Sequence, residues 1–289
     1  MITASAPGKI NLYFAVGPKL ENGYHEVCSV YLALNLRERV SVDLGDQLEI
    51  EVTGTLSDSQ LNSVPRDESN LVVSAGRLVT DQVLRFEIEK QVPVAGGMGG
   101  GSADAAAALV ATRALVKSEV SVESVQLGAD VPFALLGGAA LGVGVGEKLT
   151  PLEMNCELNV VLITTPGGLS TPAVYQHLDR LREQDDLVPE FTPPVPTELI
   201  DALANSDLEL IARLSHNDLQ RAALSLKPEL QETIDRAIAA GALTALVSGS
   251  GPTVFAIAPS KVVAEAIAAS FGAGAIATTG PAAGARLES

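Results

Sequence analysis

Apolar and polar residues alternate near the start of the chain, a pattern that predicts a strand. Ile10, Leu12 and Phe14 occupy every second position, so their side chains form one apolar face. Lys9 and Asn11 fall on the opposite face and therefore point in the same direction. The pattern alone fits a solvated strand face as well as a pair of functional side chains.

Three more elements follow in the first hundred residues. Residues 39–52 alternate on both sides of Gly45, which predicts a hairpin with its turn at that glycine. Ser69 is a typical N-cap residue and predicts a helix that ends near Thr80. Residues 83–89 alternate again and predict another strand.

The second half of the chain alternates strand and helix patterns, which indicates an α+β arrangement. Its predicted elements are a strand at 158–163, a loop at 164–175 that enters a helix, a surface connection at 187–196, a helix opened by a capping box at Ser206 and Glu209, a helix between Pro228 and Gly241, a hairpin at 243–258, a helix from Ser260 and a loose tail from Thr278.

The segment 93–104 predicts a phosphate-binding loop. Five of the nine residues from Pro93 to Gly101 are glycine, and an alanine-rich stretch typical of a buried helix follows. Glycine permits positive φ and lets a ligand approach the peptide plane. A helix that begins after such a loop presents free N–H groups and the positive end of its dipole. A flexible linker would be rich in Gly and Ser and would not continue into alanine and leucine.

Two common nucleotide-binding motifs are excluded at this segment. No lysine follows the glycines, as a Walker A loop requires. Ser102 and Asp104 occupy positions where the dinucleotide fingerprint requires glycine. The segment therefore predicts a phosphate loop of a third kind.

Asp130 is a single acid among small and apolar residues, within the block 128–135. A carboxylate in such surroundings is either a helix N-cap or a functional acid, and a buried charge needs a partner. Lys9 is the candidate partner.

Composition and charge narrow the class of protein. The chain is 47% hydrophobic and 19% charged, as is typical of a globular protein. Its formal net charge of −16 argues against a nucleic-acid partner, because phosphate backbones are bound by basic clusters. No apolar run is long enough to span a membrane, the N-terminus lacks signal-peptide features, and Cys28 and Cys156 have neither disulfide-framework nor zinc spacing. We therefore expect a cytoplasmic protein without a membrane partner.

Three blocks of the sequence occur in a characteristic order: residues 7–11, the glycine-rich segment, and residues 247–255. This trio resembles the three motifs of the GHMP kinases, which transfer a phosphate group from ATP to a small molecule. The resemblance implies an α+β fold of two domains with the active site in the cleft between them. Residues 1–152 would form an ATP-binding domain similar to ribosomal protein S5 domain 2, and residues 153–289 a ferredoxin-like domain.

The resemblance also implies roles for individual residues. Lys9 and Asp130 match the catalytic pair, in which Asp130 accepts the proton of the substrate hydroxyl and Lys9 keeps that carboxylate ionised. ATP and Mg²⁺ are the implied cofactors, and Asn70 matches the adenine side of the ATP site. The residues implied to bind the phosphates are Pro93, Val94, Ala95, Gly96, Gly97, Met98, Gly99, Gly100, Gly101, Ser102 and Ala103.

Finer features resemble one branch of this family. That branch phosphorylates a cytidine diphosphate-linked methylerythritol in the non-mevalonate route to isoprenoid precursors. By this resemblance Tyr24 and Tyr175 would sandwich the cytosine ring, and His25 would recognise its edge. The blocks that carry the resemblance are residues 23–26, 99–102, 127–133, 144–147 and 170–175, and the other implied substrate residues are Asn11, Thr171, Gly249, Ser250 and Gly251.

The sequence departs from the family pattern at three places. Met98 stands where leucine is usual, which is a mild apolar exchange. The segment between Arg113 and Gly128 is shorter than usual. Gly100 and Gly101 stand where other GHMP kinases place serines, so the protein ligand of Mg²⁺ is not assigned.

Two alternative functions remain open from the sequence. One is another GHMP kinase that acts on homoserine or mevalonate and has no preference for a cytidine nucleotide. The other is a nucleotide sensor with the GHMP fold, which predicts loss of Lys9 or Asp130, although both residues are present. For the assembly we expect a monomer or a weak homodimer.

Overall fold

The computed structural model describes residues 1–289 as two β-sheets with helices packed against them. Its strands are β1 Ile2–Lys19, β2 His25–Leu44, β3 Glu49–Gly54, β4 Leu84–Lys90, β5 Ala139–Gly144, β6 Lys148–Leu152, β7 Leu158–Ile163, β8 His216–Asn217, β9 Thr244–Val247, β10 Val254–Ala258, β11 Ala275–Gly280 and β12 Arg286–Leu287. Its α-helices are α1 Asp58–Ser63, α2 Leu71–Arg77, α3 Gly100–Val116, α4 Val131–Leu136, α5 Thr171–Gln184, α6 Thr197–Asn205, α7 Leu208–Leu214, α8 Gln220–Leu226, α9 Glu229–Ala239 and α10 Lys261–Phe271.

The first sheet is built around the long strands β1 and β2. Its main path is β12-β1-β2-β4-β3, while β5 pairs with β2, β6 with β5 and β8 with β1. The hairpin predicted at 39–52 is wrong, because β4 lies between β2 and β3 and pairs with both. Alternation correctly predicted strands on both sides of Gly45 and buried positions at Val40 and Val42, but Leu44 is exposed. Alternation carries no information on which strand lies alongside.

Helix α3 packs against the first sheet through small side chains. Ala103, Ala105, Ala106, Ala107, Ala108 and Ala111 are all fully buried in one cluster with strand residues such as Val40 and Phe86. Alanine lets a helix lie close to a sheet and is also the best intrinsic helix former. The alanine-rich stretch thus forms the buried helix that the sequence predicts.

The second sheet contains four antiparallel strands in the order β11-β7-β10-β9. In chain order these strands are 4-1-3-2, with helices in the two crossovers, which is the ferredoxin-like arrangement. The strand predicted at 158–163, the hairpin at 243–258 and the helix from Ser260 are confirmed. Ser260 accepts a hydrogen bond from the N–H of Val263 as the N-cap of α10.

Three predictions about element ends are wrong. Asn70 rather than Ser69 caps α2, by accepting a hydrogen bond from the N–H of Val72. Ser206 has a left-handed φ of 61° and ends α6, while Asp207 caps α7. The tail beyond Thr278 is ordered, because β12 pairs with β1 through Ser5 and Arg286 and Ala282 is buried.

One apolar cluster joins the two halves of the chain. It contains Leu12 and Leu34 from the first sheet, Val160 and Phe255 from the second, and Leu199 from α6, all at most 1% exposed. The division between residues 152 and 153 stays a prediction. No helix in the protein combines the length and apolar character needed to cross a membrane.

Candidate active site

The glycine-rich segment forms the entrance to α3. Gly99 has a φ of 66° and precedes the first helical residue, Gly100, without any side-chain cap, so the first N–H groups of α3 have no capping side chain. Gly97 has a φ of 76°, and a Cβ there would lie 2.2 Å from the carbonyl oxygen of Ser248. The Ser248 hydroxyl donates a hydrogen bond of 3.2 Å to the Gly97 carbonyl. Glycine is therefore required for the loop to pack on the β9–β10 turn.

Lys9 and Asp130 lie together beside this loop. The distance from Lys9 Nζ to Asp130 Oδ2 is 3.7 Å, and the side chain of Asp130 is 32% exposed. Lys9 Nζ also donates a 2.9 Å hydrogen bond to Asn11 Oδ1, whose amide donates in turn to Ser29 Oγ at 2.7 Å. Asp130 stands at the N-cap position of α4, yet its carboxylate makes no capping hydrogen bond. The functional-acid alternative is therefore favoured over the capping one.

The first turn of α3 and the β9–β10 turn border this ion pair. A Cβ at Gly99 would lie 3.3 Å from Lys9 Cγ and 3.7 Å from Asp130 Oδ2. A Cβ at Gly249 would lie 3.8 Å from Lys9 Nζ. The absence of side chains at both glycines leaves open space above the pair. The register of β1 and β2 shifts between Pro7, which pairs with Arg37, and Lys9, which pairs with Ala33, and the N–H of Lys9 donates a 3.0 Å hydrogen bond to the Met98 carbonyl of the loop.

Tyr31 closes the floor beneath Lys9, and the sequence analysis did not identify it. Its ring stacks on Phe133 with centroids 4.9 Å apart, and Lys9 Nζ lies 5.6 Å from the Tyr31 centroid. Burial, and after it the negative charge of Asp130, raise the pKa of Tyr31 well above its usual value. Tyr31 therefore stays a neutral aromatic support of the cation.

A cavity of about 350 Å³ opens on the outer side of the glycine-rich segment. Asn70 lines it, but the side chain of Asn70 already accepts from the Val72 N–H and donates to the Pro65 carbonyl. Its contact with adenine stays a prediction. The other lining residues include Leu71, Lys90, Asp104 and the loop residues 93–101.

Three buried ionisable side chains, which we call the Glu38–Lys90–Asp104 cluster, lie beneath the start of α3. Lys90 Nζ is 2.5 Å from Glu38 Oε1 and 2.6 Å from Asp104 Oδ2, while Asp104 Oδ1 has no hydrogen-bond partner. The sequence analysis missed this cluster, although a signal was present. Lys90 shares the parity of Phe86 and Ile88 on β4, which places it on the buried face.

The substitution Glu38→Gln is expected to reduce the change in the free energy of unfolding with pH. Burial, and then the charge of Asp104, raise the pKa of Glu38 to about 8, against the opposing effect of Lys90. Between about pH 4.5 and pH 8 the folded protein holds a proton that the unfolded chain has released, so the wild type loses stability as pH rises. Urea unfolding from pH 5 to pH 9 should show this loss in the wild type and in the exposed control Glu51→Gln. The loss should be smaller in Glu38→Gln, where only Asp104 remains as a buried carboxyl with a pKa raised by burial. A pH-independent difference would contradict the prediction.

A second cavity, of about 450 Å³, contains the predicted base-binding residues Tyr24, His25 and Tyr175. The rings of His25 and Tyr175 are 5.0 Å apart and inclined at 36°, while Tyr24 is 65% exposed. Burial, and then the charge of Asp130, raise the pKa of Tyr175. Ala129, the residue before Asp130, also lines this cavity, so the cavity adjoins the ion pair.

The β9–β10 turn is held by contacts from outside the second sheet. Ser250 exchanges a 2.9 Å hydrogen bond with Thr171 at the start of α5. Asn217, which the sequence analysis missed, donates to the carbonyls of Val247 and Gly249 at 2.7 and 2.8 Å. The structure thus brings the predicted residues Thr171, Gly249 and Ser250 to the site, and Asn217 fixes the turn that carries two of them.

Comparison with known proteins identifies the family of the chain. The profile of the GHMP kinases N terminal domain matches residues 70–138, and that of the GHMP kinases C terminal matches residues 199–276. The chain belongs to the GHMP kinase family. The predicted α+β fold class is thereby confirmed.

Individual proteins similar to this chain narrow the comparison to one branch of the family. The chain is 43% identical to a 4-diphosphocytidyl-2-C-methyl-D-erythritol kinase of Pseudarthrobacter chlorophenolicus, over 99% of this chain and 94% of that protein. A crystal structure of 4-(cytidine 5'-diphospho)-2C-methyl-D-erythritol kinase superposes with a TM-score of 0.77 at 32% identity, over 96% of this chain and 98% of that one. A homoserine kinase from Cytophaga hutchinsonii, with a TM-score of 0.70 at 19% identity over 99% and 97% of the two chains, shares the fold.

Proposed function

We propose that the protein transfers the terminal phosphate of ATP to the 2-hydroxyl of 4-diphosphocytidyl-2-C-methyl-D-erythritol, giving the 2-phosphate and ADP. It is a phosphotransferase with an alcohol acceptor that serves isoprenoid precursor synthesis. The observation that carries the proposal is the position of the Lys9–Asp130 pair. The pair borders Gly99 at the entrance to α3, and Ala129, the residue before Asp130, lines the cavity of Tyr24, His25 and Tyr175. The name shared by relatives at 40–44% identity supports it.

In this mechanism Asp130 is the general base and Lys9 its electrostatic partner. Asp130 accepts the proton of the attacking hydroxyl, and its partly exposed carboxylate leaves room for that group. Lys9 keeps the carboxylate ionised and faces the charge that moves during transfer. Asn11 holds Lys9 through the 2.9 Å hydrogen bond, so the cation is fixed before substrate binds. Most of the rate enhancement would then come from positioning and electrostatics.

The residues at the loop fit the phosphates of ATP. Uncapped N–H groups at Gly100 and Gly101, and the lack of any Cβ at these positions, form a cradle at the positive end of the α3 dipole. No group of three or more acidic, His or Cys side chains forms a metal cage. Mg²⁺ would be held mainly by phosphate oxygens and water, with the Ser102 hydroxyl in the first turn of α3 as a candidate protein ligand. When bound, it would neutralise charge on the phosphates.

The second cavity fits the cytidine part of the substrate. Tyr175 would stack on one face of the cytosine ring, and the exposed Tyr24 would close over the other. Thr171 and the turn 249–251 lie between this cavity and the ion pair and would contact the diphosphate and the sugar alcohol. The two alternatives, a homoserine or mevalonate kinase and a nucleotide sensor, leave this aromatic cavity or the Lys9–Asp130 pair without a role.

A coupled assay of ADP release tests the proposal. We expect turnover with 4-diphosphocytidyl-2-C-methyl-D-erythritol and at most trace turnover with homoserine, mevalonate or galactose at equal concentrations. Equal or faster turnover of one of the latter would reject the substrate. Absence of turnover with all four substrates, together with measurable ATP binding, would favour the sensor.

We further propose a cytoplasmic enzyme that works as a monomer or weak homodimer without nucleic-acid or membrane partners. The net charge of −16 supports the absence of such partners, because it opposes binding to anionic polymers and anionic lipid surfaces.

A further inference from the structure

His25 and Asp179 form a hydrogen-bonded pair in the wall of the second cavity. The side chain of His25 is only 4% exposed, and its Nε2 lies 2.8 Å from Asp179 Oδ1. Both residues line the cavity together with Tyr24 and Tyr175. His25 begins β2 and Asp179 lies in the middle of α5, so the pair joins two separate elements. The mechanism proposed above makes no use of Asp179.

The chemistry of the pair determines where the proton of the imidazole lies. An ionised carboxylate only accepts hydrogen bonds, so the nitrogen that faces it must carry a hydrogen. In the neutral ring that hydrogen occupies Nε2, and Nδ1 is left with a free lone pair. No hydrogen bond within the protein engages Nδ1. The carboxylate thereby converts the outer nitrogen of His25 into a hydrogen-bond acceptor.

An acceptor at this position distinguishes the two pyrimidine bases. Cytosine carries an amino group at C4, which donates, whereas uracil carries a carbonyl oxygen there, which accepts. The lone pair of His25 Nδ1 can accept a hydrogen bond from the cytosine amino group. With uracil the same lone pair faces the carbonyl oxygen, so two acceptors meet without a hydrogen between them in a desolvated pocket. We propose that Asp179, by holding His25 in the Nε2–H tautomer, is a positioning residue that makes the cavity select cytosine over uracil. This inference rests on the cytidine substrate of the proposed function.

Other charges near Asp179 do not account for the contact. Lys19, Arg180 and Arg182 lie along the adjoining groove, yet none of them forms an ion pair with Asp179. Arg182 pairs with Asp218 instead. Asp179 is thus committed to His25 alone.

The experiment measures the dissociation constants of CDP and UDP by calorimetry, with ADP present at saturation to fill the ATP site. The wild type is expected to bind CDP about 10–100-fold more tightly than UDP, as one matched against one mismatched hydrogen bond allows. Asp179→Ala should reduce this ratio to within about 3-fold, mainly by weakening CDP. Glu183→Ala, one turn further along the exposed face of α5, is the matched control and should keep the full ratio.

The ¹⁵N chemical shifts of the His25 ring provide a second readout, because they report which ring nitrogen carries the proton. A purely structural contact between His25 and Asp179 would not require one particular tautomer. The wild type should show a protonated Nε2 and an unprotonated Nδ1, and Asp179→Ala a mixture of tautomers. Asp179→Asn keeps the size of the side chain and serves if the alanine variant does not fold. Its amide can donate or accept, so the same fall in the ratio is expected.

The outcomes separate this inference from the proposed function. Equal binding of CDP and UDP by the wild type would overturn both. A wild-type preference for CDP that persists in Asp179→Ala or Asp179→Asn would overturn only the role of Asp179, as would an Nδ1–H tautomer in the wild type.

Discussion

Asp130→Asn is expected to lower kcat by about 10²–10⁴-fold, which is the usual contribution of a positioned general base. Asparagine has nearly the same shape, so the 3.7 Å approach to Lys9 and the loop around it should persist, but an amide cannot take the hydroxyl proton. ATP affinity should change little, because the phosphates are held by the backbone at the start of α3. Steady-state ADP release and ATP titration of the same samples measure the two effects.

Asp81→Asn is the matched control for this variant. Asp81 is an exposed carboxylate in the loop before β4, at the opposite end of that strand from the glycine-rich segment. It should leave kcat unchanged. Near-normal turnover of Asp130→Asn would remove Asp130 as the base, and a parallel loss of ATP binding would indicate a role in the nucleotide site instead.

Lys90→Met is expected to reduce the free energy of unfolding by about 3–5 kcal/mol, as removal of one partner from a buried charge group does. The raised pKa of Glu38 keeps that residue mainly protonated at neutral pH, so the ionised Asp104, at 3% exposure, would lose the cation that neutralises it. For a chain of this size such a loss lowers Tm by roughly 6–10 °C. Thermal and urea unfolding measure it, and Lys148→Met, an exposed lysine on β6, should be close to neutral.

The position of the Glu38–Lys90–Asp104 cluster links this loss of stability to catalysis. A Cβ at Gly100 would lie 3.1 Å from Glu38 Oε1 and 3.5 Å from Lys90 Nζ, so the cluster supports the first turn of α3 directly. ATP binding should therefore weaken in Lys90→Met even at temperatures where the variant is folded. Unchanged stability would show that Asp104 is neutralised in another way when Lys90 is absent, such as by taking up a proton of its own.

The parts of the fold that were predictable from the sequence depend on local physics. Alternation marks the buried face of a strand, and a glycine-rich loop before an alanine stretch marks the start of a buried helix. Partners are set by the whole chain, which explains why the hairpin at 39–52 was wrong and why β12 was taken for a loose tail. The capping box failed because Ser206 ends one helix while the next residue, Asp207, begins another.

The candidate site likewise contains features that the local sequence predicts and features that depend on residues far apart in the chain. Lys9 and Asn11 were predicted to point together, and their 2.9 Å hydrogen bond confirms that geometry. The 3.7 Å approach of Lys9 to Asp130 joins residues far apart in the chain. The need of a buried carboxylate for a cation made Lys9 a candidate partner, and the family resemblance then implied the pair. Asn217 and Asp179 gave no local signal, since each acts through a residue on a different element.

The apolar cluster that joins the two sheets has a consequence for how ligands enter. A hinge that separated the halves as rigid bodies would expose Leu12, Val160 and Phe255 to water at a cost of about 1.5–3 kcal/mol for each side chain. Two polyphosphate ligands must still reach the ion pair, and the open space beside Gly99 and Gly249 gives them access. Ligand entry therefore needs at most small local movements, of the exposed Tyr24 and of the turns that carry Gly97 and Gly249, while the two halves of the enzyme stay packed together.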